Sequence, residues 1–290
     1  MVLSFAPGAA EATEAKPPTK DKHCAGDQES RWVLSQLSAV QTNPDAVVNV
    51  LRLGACTPLV TRPGLFFDYS HLEVGVVNKL TPTFAHTGGY LQVAPLSPLV
   101  LRTELSHVAY WPLGVDYTGY YPKQGYTDSF DQLFGDAGAS AKGLYLGMDA
   151  ILRAQASVSP SLGLLLVNDV NFSYVDIGSA KYYYSQRWDL ILAQKDWVVG
   201  NELYAGLESP LSDSSSLRYG IFDNVAHVPA SGYSSHQLGL FAMGNWPRPH
   251  PLLRDLVPFV RAGYYLDHAF RGGSFTVLGG LMTQYVLGSL

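Results

Sequence analysis

The sequence predicts an all-β chain, an antiparallel transmembrane β-barrel of ten to twelve strands behind a short polar or helical N-terminal extension. Three observations predict it. First, residues 143–158 alternate with period two. Leu144, Leu146, Met148, Ala150, Leu152, Ala154, Ala156 and Val158 fall on one face, and Tyr145, Gly147, Asp149, Ile151, Arg153, Gln155 and Ser157 on the other. That is the period of a strand. After Ser159-Pro160-Ser161 the pattern repeats, with Leu162, Leu164, Leu166, Val170, Phe172 and Tyr174 against Asp169, Asn171 and Ser173. Second, such segments recur along the chain, as they do where a closed barrel turns an apolar face to lipid and a polar face inward. Third, charged residues make up only 15%, yet no apolar run approaches the ~20 residues a membrane helix needs. Tyr (18), Trp (5) and Gly (28) are plentiful.

In chain order, residues 1–12 read as the remnant of a signal peptide. Val2 to Phe5 is the end of an apolar region, and Gly8-Ala9-Ala10 or Ala10-Glu11-Ala12 is a small-residue cleavage site. An ordinary disordered N-terminus is the other reading. Residues 13–45 are expected to be a disordered or periplasmic segment, in which Arg31 to Val40 is helix or strand. Asn43-Pro44-Asp45 resembles a helix start, but 46–55 alternates, with Leu51, Leu53 and Ala55 on one face and Arg52 on the other. The strand is preferred, so the barrel is expected to span 46–290.

The next strand, 69–80, places Leu72, Val74 and Val76 outside and His71, Glu73, Gly75 and Lys79 inside. Residues 89–93 follow, then 99–111, with Leu99, Leu101, Thr103, Leu105, Ala109 and Trp111 toward lipid and Arg102, Glu104 and Ser106 inward. Residues 112–142 break the alternation with Tyr, Gly and Asp; long loops of this kind are usually functional or disordered, and this one is the candidate surface-binding or pore-constricting loop, with packing of its aromatics onto the rim as the other reading. Beyond the 143–177 hairpin come strands at 184–193, 197–208, 217–228, 235–246, 257–268 and 274–287. Trp246-Pro247-Arg248-Pro249 must end a strand, because Pro lacks a ladder donor. Even strand numbers are usual in such barrels, as are long extracellular loops. Twelve strands with both termini periplasmic would put 112–142 on the periplasmic side. Either an early strand is misassigned or that loop is periplasmic.

Tyr69, Tyr110, Trp111, Tyr174, Trp188, Trp197, Trp246, Tyr264 and Tyr265 fall near strand ends, where amphipathic rings suit the membrane interfaces. The expected lumen-lining residues are Glu73, Arg102, Glu104, Asp149, Arg153, Asp169, Arg187, Glu202 and Arg261, with Asp189, Arg218 and Asp267 also inward. Such charges either pair and fill a narrow barrel or line a water path.

No catalytic residue, metal ligand set or cofactor motif is assigned. There is no zinc spacing, phosphate loop or dinucleotide fingerprint. The net charge is −5 and there is no basic block, which argues against nucleic acid as a partner. Expected partners are outer-membrane lipid, the barrel-assembly machinery and small polar solutes. Cys24 and Cys56 lack metal-ligand spacing, and they pair in an oxidising compartment or stay as free thiols. One enzymatic alternative is a lipid hydrolase. Ser234 and His236, two apart, share a face with Leu238 and Leu240, and a Ser–His pair can supply nucleophile and base. No acid partner is evident, and an enzyme is the less favoured reading. A soluble secreted β-protein is the remaining alternative, because such proteins also alternate.

Residues 46–290 resemble bacterial outer-membrane β-barrel proteins as a class. The likeness rests on the alternation, the aromatic strand ends and a terminal strand running Phe275 to Leu287. It departs in ending Gly288-Ser289-Leu290 rather than on an aromatic residue. The resemblance implies insertion in the bacterial outer membrane. It carries over no catalytic residue, and leaves a small channel or a structural or surface protein as the expected roles.

Overall fold

A computed structural model describes residues 29–290, apart from 61–65, 68, 112–139, 160, 178–181, 186–187, 213–214, 231, 248–251 and 269–270. Expectations for the signal peptide, for most of the Tyr-rich loop and for Arg187 therefore lie outside the described residues.

The strands are β1 (Arg31–Thr42), β2 (Ala46–Pro58), β3 (His71–Leu80), β4 (Phe84–Leu96), β5 (Leu99–Tyr110), β6 (Ala141–Ser159) and β7 (Leu162–Asp176). They continue as β8 (Tyr182–Ser185), β9 (Leu190–Ala193), β10 (Lys195–Ser212), β11 (Ser215–His227), β12 (Ser234–Pro247), β13 (Leu253–His268) and β14 (Phe275–Ser289). Twelve of them form one closed antiparallel barrel in which β14 returns to pair with β1. β8 and β9 make a separate two-stranded sheet. Closure pairs every wall edge, so no strand is left as an open template.

The expected number of strands holds, but two of its members change. β1 is a wall strand paired to β2 and β14 over its whole length, so the barrel begins at Arg31 rather than at 46, and 31–42 is not part of a disordered extension. Its outward positions include Gln36 and Ser38 beside Trp32 and Val40, so neither face is purely apolar and the period-two signal is weak. Main-chain pairing with both neighbours decides its place. Residues 184–193, in contrast, are not a wall strand. Leu190, Ile191 and Leu192 are all buried, whereas a wall strand would turn every second residue to lipid. Five wall strands now precede the 111–140 connection. It therefore leaves the barrel at the end opposite the termini, which removes the parity conflict.

The faces sort as expected. On β3, His71, Glu73, Val77 and Lys79 are buried while Val74, Val76 and Leu80 are exposed. On β5, Glu104, Ser106 and Val108 are buried while Leu101 and Leu105 are exposed. Exposed Leu164, Leu166 and Phe172 on β7, and Leu238 and Leu240 on β12, continue the outer apolar surface. The aromatics divide. Trp197 and Tyr264 are exposed near the end opposite the termini, and Trp32, Tyr69 and Trp246 near the terminal end. Tyr174 lies against Trp197, ring centroids 5.1 Å apart. Tyr110 and Tyr265 instead are buried inward, because their register positions share a face with Val108 and Gly263 rather than with lipid. Cys56 is buried and disulfide-bonded, while Cys24, the chain's other cysteine, lies outside the described residues.

Candidate functional site in the barrel lumen

The inner wall carries a belt of polar side chains, most of them paired. Lys79 Nζ lies 2.7 Å from Glu104, which also accepts a bond from the Ser106 hydroxyl at 2.9 Å. The Tyr90 hydroxyl donates to Glu73. Arg102 donates through Nε and Nη2 to Gln92 Oε1 at 2.8 and 2.6 Å and lies 3.8 Å from Asp149, which accepts from Asn171. Across the lumen Arg261 pairs with Glu202 and Tyr204, and Arg218 with Glu208 at 2.9 Å. Such pairing offsets the large cost of taking charges out of water.

Of the nine predicted lumen residues, Glu73, Arg102, Glu104, Asp149, Arg153, Asp169, Glu202 and Arg261 lie on inward positions, and Arg187 is outside the described residues. Arg218 is inward as well. Asp267 is not, because a bulge between His236 and Gln237 shifts the register and pairs the exposed Asp267 with outward-facing His236. Asp189 is not on the wall at all. It sits in the β8–β9 hairpin.

That hairpin packs against the inner wall at the end of the barrel opposite the termini. It leaves β7 after Ile177 and returns at Gln194, where the Ile177 amide donates to the Gln194 carbonyl at 2.9 Å. Between these points Leu190 and Leu192 join one buried apolar cluster with inward-facing Phe84, Val108, Tyr110, Tyr145, Val175, Val198 and Ala226. Trp188 lies over Gly200 of the β10 wall. Burying each such aliphatic side chain contributes about 1.5–3 kcal/mol. At the returning end, Asp196 accepts bonds from the Ala193 and Trp197 amides at 2.9 and 2.8 Å.

The other end is clamped to the opposite wall. Asp189 has φ 54°, a left-handed conformation that Asp and Asn tolerate better than most residues. Its carboxylate receives bonds from the Tyr265 hydroxyl (3.1 Å) and Arg271 Nε (2.8 Å), with His268 Nε2 at 3.1 Å. His268 Nε2 is also 2.6 Å from the Asp189 carbonyl, while His268 Nδ1 accepts the Arg271 amide. That assigns the proton to Nε2. Arg271 continues to Asn43 Oδ1 in the β1–β2 turn at 2.7 Å. Sequence reasoning missed this clamp because its members are 43, 189, 265, 268 and 271, and no local pattern links them. A continuous apolar Leu190-Ile191-Leu192-Ala193 was the one available signal for a segment buried on both faces.

The opposite half of the lumen differs. Inward positions Arg153, Gln155 and Ser157 of β6 are exposed to solvent. At the same end, inward Val33 and Cys56, and Ala94, Val100 and Ile151, form two buried apolar clusters, so the exposure is confined to the β6 end of the wall.

On the outer face, Ser234 and His236 share a side with Leu238 and Leu240, as expected. The acid absent from the local sequence comes from the neighbouring strand, where Asp223 Oδ1 is 2.7 Å from His236 Nε2. Ser234 Oγ is 3.0 Å from His227 Nδ1. Asp223 and His227 were missed because only the β11–β12 register brings them there.

A closed barrel with an apolar outer wall and a charged interior has the architecture of transmembrane β-barrels, and the chain resembles bacterial outer-membrane β-barrel proteins as a class. No protein-family model and no curated protein matches it. Among solved structures, it is similar to the β-domain of the Bordetella autotransporter BrkA, at 12% identity over 90% of this chain and 100% of that one, with a TM-score of 0.49. It is also similar to the NanC porin, at 6% identity over 87% and 98%, TM-score 0.37. The translocator domain of the autotransporter NalP from Neisseria meningitidis matches at 12% identity over 89% and 88%, TM-score 0.32. These are likenesses of fold.

Proposed function

We propose that this protein resides in a bacterial outer membrane, is inserted there by the barrel-assembly machinery, and passes small polar solutes through its lumen when the β8–β9 plug undocks. The carrying observation is a separate hairpin packed inside one end of a charged-walled barrel that has solvent-exposed inward positions at its other end. Arg153, Gln155 and Ser157 face water at one end, whereas Leu190, Ile191 and Leu192 are at most 1% exposed at the other. A purely structural barrel has no need of a separate hairpin docked inside its wall. The plug enters and leaves the wall at one paired point, so it can move without breaking the ladder. Disulfide-bonded Cys56 fits an oxidising compartment.

The test is single-channel recording from refolded protein in a planar bilayer, with insertion checked separately by heat-modifiable gel migration. Wild type should open rarely. Leu190→Asp combined with Leu192→Asp should open often, because carboxylates are not tolerated in the apolar cluster. Silence from the inserted double variant would refute the channel.

A second reading draws on Ser234, His227, His236 and Asp223 on the outer face, which supply nucleophile, base and acid types facing lipid. They form two separate hydrogen-bonded pairs rather than one relay, so the channel is preferred. Phospholipid hydrolysis by wild type, abolished in Ser234→Ala, would reverse that order.

A further inference from the structure

The outer wall is apolar over most of its circumference, and one sector departs from that rule. On β1 the outward positions include Gln36 and Ser38. Thr283 of β14 stands directly opposite Gln36 in register, and Asn49 of β2 opposite Ser38. Val40, Leu51 and Leu281 share this face and are exposed, which fixes it as the outer one. The sector continues onto β3 and β4, where Asn78 lies opposite Leu51 and donates to Thr87 at 2.8 Å. No charged side chain is among these polar residues.

Ser38 is six residues from Trp32, an exposed aromatic near the terminal end. At ~3.3 Å per residue and a tilt of about 40°, that is about 15 Å along the barrel axis, near the middle of an apolar band about 25 Å tall. Asn49 Nδ2 donates to Ser38 Oγ at 2.8 Å, and Gln36 Nε2 donates to the same oxygen at 3.3 Å. Those are the only side-chain bonds of the three among the described residues. The amide oxygens of Gln36 and Asn49 are left to whatever covers the wall. Hydrocarbon offers neither donor nor acceptor, so covering them with lipid tails is costly.

A second copy of the chain meets the need. Side-chain amides and hydroxyls both donate and accept, so the patch is complementary to itself, as an isologous contact requires. A two-fold axis along the membrane normal sets the same residues face to face at the same depth. The lack of charge removes any demand for a charged partner. Asn, Gln, Ser and Thr side chains join membrane-spanning elements in this way.

We propose that the outer face of β14, β1 and β2 is the contact between two copies of this chain, related by a two-fold axis along the membrane normal. The proposal rests on insertion in a bilayer and not on the channel reading.

The test is sedimentation equilibrium of the full-length protein refolded in density-matched detergent micelles, with each sample checked by heat-modifiable migration. Wild type should be in monomer–dimer equilibrium. Gln36→Leu combined with Asn49→Leu turns apolar side chains toward lipid, so the barrel should stay heat-modifiable. Its dimer dissociation constant should rise at least about tenfold, because each lost bond occurs twice across the axis. Asn168→Leu combined with Asn201→Leu makes the same exchange on the opposite side of the barrel and should leave the constant unchanged. If Gln36→Leu/Asn49→Leu fails to fold, Ser38→Ala removes only the shared acceptor and should weaken the dimer in the same direction. Wild type that is monomeric at every protein-to-detergent ratio would overturn the interface. So would a constant unchanged in the β1–β2 variants, or raised equally by the exchange on the opposite side. Wild type that does not migrate heat-modifiably would refute insertion and the interface with it. A folded dimer that is silent in planar bilayers, even with Leu190→Asp and Leu192→Asp, would keep the interface and refute the channel.

Discussion

Replacing Asp189 by Asn tests the clamp that holds the plug against the inner wall. Asn keeps the volume, tolerates the same left-handed backbone and retains one acceptor oxygen. It removes the charge that Arg271 Nε meets at 2.8 Å and His268 Nε2 at 3.1 Å. Breaking a buried ion pair from one side costs about 3–5 kcal/mol. The surviving acceptor and the Arg271 bond to Asn43 place this change at the lower end, about 3 kcal/mol. Since 1.4 kcal/mol is a factor of ten, the ratio of undocked to docked plug should rise on the order of 100-fold. The assay is open probability in single-channel records at fixed voltage, with hydrogen exchange of the 190–193 amides as a second readout. Openings no more frequent than in wild type, with amide protection unchanged, would refute the clamp. Arg271→Gln should have a similar effect, and the double variant should fall short of the sum, because the two residues share one interaction.

Three further outcomes concern the wall. Lys79→Met leaves Glu104 buried without its cation, so the unfolding midpoint in heat-modifiability gels should fall by the equivalent of about 3–5 kcal/mol, and adding Glu104→Gln should recover more than half. Leu240, 65% exposed on the outer face, should tolerate Phe but not Arg, which near mid-membrane costs about 2–4 kcal/mol in urea unfolding from vesicles. Asn168 and Asn201 hydrogen-bond to each other at 2.9 Å on the outer face. Replacing both with Leu should be neutral or stabilising by the same measurement, whereas replacing one should cost about 1–3 kcal/mol by orphaning the other.

Much of the lumen was legible in sequence because a strand has only two faces. Once Leu101 and Leu105 are given to lipid, Arg102, Glu104 and Ser106 must point inward, and the same logic places Asp149, Asp169 and Glu202. It fails where the backbone departs from strict alternation. The bulge beside His236 turns Asp267 outward. Tyr110 and Tyr265 look like interfacial aromatics by position along their strands, yet the register buries them. β1 was unreadable because its outward face mixes Trp32 and Val40 with Gln36 and Ser38. Its place is set by hydrogen bonds to β2 and β14, and those bonds carry no side-chain signature.

By itself, the sequence determined the fold class, the separation of lipid and lumen faces and the sign of most interior charges. All of these follow from period-two alternation and from the cost of putting charge against lipid. Which strands make up the twelve, how the ring closes and which acid meets which base were decided only by the tertiary structure. So were the folding of 190–193 against the inner wall and its clamp at Asp189. These depend on contacts between residues tens to hundreds of positions apart. Such contacts are set by barrel closure and register, and no local pattern encodes them.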